Sequence, residues 1–177
     1  MPYSELELSN GNWDLKMDVQ IIYKQGGLIK QLTTYPFNYK QGNVTSYDNV
    51  TWELKQIWVD YNITQSGKKG MLVHVNFEVT GLQGVKSYLS VRVIDKDSEN
   101  FVRGVTSAYK NSDGDLRGYF NMTPGYETTV YRDATVFLPY NEFNLPKGRY
   151  NLTLDVDLGF GDRFEHLGNE DFTFTQP

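Results

Sequence analysis

The residues in this chain with the best claim to chemistry are two acidic, turn-like stretches. Asp95-Lys96-Asp97-Ser98-Glu99 precedes Asn111-Ser112-Asp113-Gly114-Asp115. Calcium takes six to eight hard oxygen ligands, usually with several carboxylates presented on loops. Two acidic loops at one end of a β-sandwich could supply them through Asp95, Asp97, Asp113 and Asp115, as in C2-type domains. The pattern is not that of an EF-hand. The first stretch lacks its glycine, and the second lacks the glutamate at the required offset. Asn, Asp, Ser and Gly are also the ordinary residues of solvated turns, which is the plainer reading of both stretches.

A second acidic group comprises Asp155, Asp157, Asp162 and Glu165. Paired carboxylates can hydrolyse glycosides when one protonates the leaving group and the other attacks or activates water. Asp155 and Asp157 fall on the polar, wet face of an alternating strand, and sequence gives neither a cleft nor a separation. The two histidines are His74, on the polar side of its strand, and His166, in a stretch that reads as a loop. Neither has a Gly-x-Ser-x-Gly partner or another sign of a nucleophilic triad. The glycines form no phosphate-binding loop, and Leu158-Gly159-Phe160-Gly161-Asp162 reads as a turn after a strand. No catalytic residue, metal ligand or cofactor is assigned from the sequence, which points away from an enzyme, and the ligand-binding residues stay open.

Composition narrows the classes further. The chain has 177 residues, no cysteine and two histidines, which argues against zinc, thiol and iron–sulfur chemistry. The net charge of -5 argues against a nucleic-acid-binding surface. Residues 1–88 carry 8 Lys and 8 acidic residues, whereas residues 89–177 carry 6 Arg, 3 Lys and 14 acidic residues. Apolar runs are too short to predict a transmembrane segment. Met1-Pro2-Tyr3-Ser4-Glu5-Leu6 lacks the basic and apolar parts of a signal peptide, so a cytoplasmic location is expected unless a leader has been removed. Asn-x-Thr triplets begin at Asn43, Asn49, Asn62, Asn121 and Asn151; an abundance of Asn and Thr accounts for them without glycosylation.

The elements that must position these residues are strands. Aromatics make up 15% of the chain, and Tyr, Phe, Val and Thr favour the pleated backbone. From Trp13 to Ile21 apolar and polar residues alternate, the period of a half-buried strand. Gln25-Gly26-Gly27 supplies a turn, and Leu28 to Tyr35 can return as the second arm of a hairpin. Pro36 limits that arm as a central strand. Between residues 49 and 63 the apolar parity changes from Val50, Trp52 and Leu54 to Ile57, Val59, Tyr61 and Ile63. One extra residue near Lys55-Gln56 restores a single face, which predicts a β-bulge or a change of sheet there. Alternation resumes at Met71–Val79, Leu89–Ile94 and Tyr150–Val156, with further strands at Arg117–Met122, Tyr126–Tyr140 and Asp171–Thr175. Asn141 to Leu145 can form one helical turn.

Nine or ten short strands separated by turns predict an all-β fold, an antiparallel β-sandwich of immunoglobulin-like or C2-like type. Its expected core includes Trp13, Leu15, Val19, Trp52, Val73, Val75, Phe77, Leu89, Val91, Phe137, Leu152 and Leu154.

From about residue 57 onward the chain resembles an accessory β-sandwich module of multidomain bacterial proteins, many of them from the Bacteroidetes. The resemblance rests on Gly70-Met71-Leu72-Val73-His74-Val75-Asn76-Phe77, Thr123-Pro124-Gly125-Tyr126, Phe137-Leu138-Pro139-Tyr140-Asn141-Glu142, and Leu145 through Gly148. These are strand and turn motifs, and no catalytic residue comes with them. The resemblance implies a module at 57–177 that accompanies other domains, including peptidase-like ones. Residues 1–56 are either further strands of the same sandwich or a small β subdomain. The function expected is a non-catalytic interaction module for a protein partner or neighbouring domain, acting through a sheet edge or the end loops. The alternative is a carbohydrate-binding sandwich whose glycan rests on exposed aromatics in line, with Trp58, Tyr61 and Tyr88 as contributors.

Overall fold

The computed structural model describes residues 11–22, 29–41 and 47–176. The chain is all-β, with several antiparallel sheets. Its contacts divide it into two compact units, Met1–Thr45 and Ser46–Pro177. The boundary read from the sequence at 56/57 falls inside an unbroken strand, Thr51–Gln65. That reading followed the start of the resemblance, whereas pairing carries the strand across it.

In the first unit, β1 (Gly11–Ile22) and β2 (Ile29–Gln41) pair as an antiparallel hairpin with an irregularity at Val19/Gln20. Pro36 lies opposite Lys16; in a two-stranded sheet both strands are edges, where proline is tolerated. The expected turn at Gln25-Gly26-Gly27 lies outside the described residues, as does the Trp13 side chain. Leu15 is half-buried and Val19 is 37% exposed, so the alternation of β1 does not make Val19 a core residue.

The second unit holds two sheets. One has the order β3 (Thr51–Gln65), β4 (Lys68–Thr80), β8 (Thr128–Pro139). In the other, β10 (Arg163–Gln176), β9 (Gly148–Phe160) and β5 (Ser87–Asp95) lie side by side, and β5 pairs along its far edge with β7 (Arg117–Met122) and the two-residue β6 (Asn100–Phe101). Met71, Val73, Val75 and Phe77 of β4 and Val136 and Leu138 of β8 join Leu89, Val91 and Val93 of β5 and Leu152, Leu154, Val156 and Leu158 of β9 in one apolar core. This is a sandwich-like use of period two, with every second residue turned to a shared interior. Gly118 of β7 permits close approach between the sheets, because a Cβ there would meet Val136 and Leu138.

In the second unit the expected core is buried, with two departures. Trp52 is only half-buried, packed against the core. Phe137 is also half-buried, while its neighbours Val136 and Leu138 fill the core. An apolar run such as Thr135-Val136-Phe137-Leu138 does not declare its phase, and register with β4 decides it. The bulge expected near Lys55-Gln56 is present: Leu54 pairs with Phe77 and Gln56 with Asn76, so Lys55 is the extra residue.

Further extra residues occur at Asn62 in β3, at Arg132/Asp133 in β8 and at Leu167 in β10. A 3₁₀ turn at Tyr140–Glu142 overlaps the start of the Asn141–Leu145 stretch expected to be helical, and Phe143 to Leu145 are not helical. Its Glu142 is fully buried and accepts bonds from Lys68 Nζ (2.9 Å) and from the Thr106 N–H and hydroxyl (both 2.9 Å). Burial pushes this carboxyl up, but those bonds and the lysine charge together hold it below the usual range. No helix among the described residues is long and apolar enough to cross a membrane.

Candidate functional site

The acidic loops do not assemble. Asp95 closes its own hairpin, accepting from the Asp97 N–H (3.1 Å) and the Ser98 hydroxyl (3.0 Å), as an Asx turn does. Asp115 takes the Arg103 guanidinium (2.7 Å) and the Asn111 amide (3.2 Å) on its two oxygens. Asp97 and Asp113 are exposed. Among the described residues these four do not form a group of three or more acidic or histidine ligands spaced to share an ion.

Charged groups converge instead on the outer face of the β10–β9–β5–β7 sheet. Three cross-strand rows lie there in register: Asn169, Asp155, Arg92 and Arg117; then His166, Asp157, Ser90 and Tyr119; then Phe164, Gly159, Tyr88 and Asn121. Alternation aims Asp155 and Asp157 away from the core, as the sequence implies. They are not wet, however, being only 6% and 5% exposed. β9 is a central strand, and long side chains from its neighbours close over its short ones. His166 lies in β10 rather than in a loop, because pairing with β9 extends the hairpin through a polar stretch with no strand signature. The hairpin turn is Gly161-Asp162, with Gly161 at φ 57°, so Leu158 to Phe160 belong to the strand.

The middle of this face is an ion-pair knot. Arg92 Nη2 is 2.7 Å from Asp155 Oδ2 and 3.0 Å from Asp157 Oδ2. His166 Nδ1 is 3.0 Å from Asp155 Oδ1 and 3.6 Å from Asp157 Oδ1. Burial and then the Asp155 charge push the Asp157 carboxyl above its usual range, against the pull of Arg92 and His166. Asp155, Asp157 and His166 present atoms within 4.8 Å of one another, a spacing at which a cation could be shared. The Arg92 guanidinium already supplies positive charge there. Both carboxylates lie against the same arginine.

Beside the knot is an aromatic patch. The Arg117 guanidinium lies 4.8 Å from the Tyr119 ring centroid, 5.2 Å from Phe164 and 5.7 Å from Tyr88, the range of cation–π attraction. It also donates to Ser90 Oγ at 3.1 Å. Tyr88 packs edge-on to both Tyr119 and Phe164, over Gly159, where a Cβ would clash with its ring. Tyr119 is 43% exposed and Phe164 56%.

The aromatics named for a glycan platform stand in three places. Trp58 stacks on His74 (4.8 Å, 10°) on the β3–β4–β8 sheet, where Asp133 hydrogen-bonds the imidazole Nδ1 (2.6 Å) and Asp60 lies 3.3 Å from Nε2. Tyr88 belongs to the Arg117 patch, and Tyr61 lines a groove with Tyr140. Sequence reasoning missed Arg92, Arg117, Tyr119 and Phe164 as site residues. Arg92, Arg117 and Tyr119 lie on strands that were legible, whereas Phe164 lies in a stretch without a strand signature; pairing of β5 with β7 and β9, and of β9 with β10, is what brings them together. No protein-family model matches the chain, and comparison with curated proteins finds no match.

Proposed function

We propose that Ser46–Pro177 is a non-catalytic interaction module, an immunoglobulin-like or C2-like sandwich of the accessory bacterial kind, that binds a protein partner or neighbouring domain. The observation that carries this reading is the exposed Tyr119 and Phe164 pair set around Arg117 on one sheet face. Tyr, Phe and Arg are enriched where proteins bind one another, because they combine large contact area with directed polar groups. Extra residues interrupt the ladders of the edge strands β3, β8 and β10, which disfavours strand addition there, and the regular edge β7 is only six residues long; the reading is therefore directed to a sheet face.

The test is affinity capture from native cells with the wild type beside the double variant Tyr119→Ser/Phe164→Ser, both checked for equal melting. A partner recovered by the wild type and reduced about tenfold or more by the variant, the equivalent of ~1.4 kcal/mol, is the expected result. Equal recovery of the same proteins by both would overturn the reading.

A further inference from the structure

Away from that face, β3 and β10 border a groove of about 420 Å³ lined by Tyr61, Asn62, Lys69, Tyr140 and Thr173 among others. Its geometry starts from a bulge. Tyr61 pairs with Met71 and Ile63 with Gly70, leaving Asn62 as the extra residue. Asn62 sits at φ 61°, the left-handed region that asparagine enters more readily than most residues. Its N–H donates to Tyr140 Oη at 3.0 Å, so one bond ties the bulge to the second tyrosine. A residue held in that region is a local cost that the surroundings must enforce, and such residues gather at binding sites. Tyr61, beside the bulge, is 48% exposed. A neighbouring hollow of about 430 Å³ shares Lys69 and Tyr140 and continues past Asn141 and Gln176, so the space suits a chain of units rather than a single compact molecule.

The lining defines the ligand. It offers a flat apolar ring and, within the same space, an ammonium, a phenol, a carboxamide and a threonine hydroxyl. A molecule that uses all of these has one flat C–H face and a rim of hydroxyls. An extended peptide would need a straight free edge, but β3 and β10 are bulged at Asn62 and Leu167. Lys69 forms no ion pair among the described residues; burial first and then the negative charge of Glu170 raise the Tyr61 phenol, so the platform stays an uncharged ring with a charge of each sign near it, surroundings that suit a neutral ligand. We infer that this groove is a subsite for a neutral oligosaccharide, with Tyr61 as the stacking platform and Lys69, Tyr140 and Thr173 as partners for its hydroxyls. This differs from a row of aromatics in needing one platform, and it is independent of the outer-face reading above.

The experiment is calorimetric titration of the full chain with cello-, xylo-, manno- and laminari-hexasaccharides. The expected result is saturable binding of at least one. Tyr61→Ala weakens it about tenfold or more, ~1.4 kcal/mol. Tyr61→Trp, which keeps a ring, retains it, and Trp58→Ala leaves it unchanged. Tyr61 is half-exposed, so melting curves of its variants should match the wild type and separate lost binding from lost folding. Binding of none of the four sugars, or binding that survives Tyr61→Ala, would overturn the inference.

Discussion

Two groups of carboxylates in this protein invite opposite readings in sequence and in space. Asp95, Asp97, Asp113 and Asp115 lie on loops in a composition that suggests ligands, yet the bonded ones close turns and hold Arg103. Asp155 and Asp157 sit two apart on a strand, where alternation assigns them to water, yet they are the buried pair. The difference comes from their surroundings. Asp95 is satisfied within its own turn by the Asp97 N–H and the Ser98 hydroxyl, and Asp115 by Asn111 and Arg103 of the same loop region. An acid on a central strand is flanked on both sides, so its environment is whatever the neighbouring strands put opposite it. Here that is Arg92 on one side and His166 on the other.

The contrast breaks most visibly at Arg92. Arg92→Met leaves two buried carboxylates without their guanidinium, and removing one partner of a buried ion pair typically costs about 3–5 kcal/mol. Chemical denaturation at neutral pH should show a loss of that order; a loss below about 1 kcal/mol would mean that the knot behaves like a surface pair.

A finer separation uses pH and the variant Asp157→Asn. An acid whose value is raised by folding binds its proton more readily in the native state. Its contribution to stability therefore falls as pH rises from the unfolded value near 3.8 to the raised folded one. Acidification through that window should improve the wild type relative to Asp157→Asn, read as the difference between their unfolding free energies across pH. A wild type that loses stability relative to Asp157→Asn on acidification would place Asp157 with the ordinary paired carboxylates.

The smallest effect belongs to the loops. Asp113 is exposed, and substitutions at such sites usually stay within about 0.5 kcal/mol. Asp113→Ala should melt with the wild type, with and without millimolar calcium. A calcium-dependent rise in melting temperature that Asp113→Ala abolishes would restore the loops as a cation site.

What the sequence made legible follows the same division. Strand existence and phase could be read wherever apolar and polar residues alternate, as in Met71–Val79 and Leu89–Val93, and the changed parity around Lys55 revealed a bulge. Phe137 shows where this fails: inside a continuous apolar run only the register with β4 chooses which ring goes inward. His166 shows a second failure, since its segment is polar and becomes a strand through pairing with β9. The candidate site was least legible because it is built across strands. Asp155 and Asp157 could be placed on one face of β9, but nothing local to Arg92, Arg117, Tyr119 or Phe164 indicates which strands will lie side by side.

The extra residues at Asn62, Arg132/Asp133 and Leu167 have a consequence for crowding. An edge strand with a regular ladder can template another copy, and stacks of such copies grow into fibrils. Edges interrupted in this way give an incoming strand only short stretches of matching ladder, and the uninterrupted edge, β7, is six residues long. Concentrated samples of the second unit should therefore remain dispersed where a straight-edged sandwich of the same composition would seed fibres.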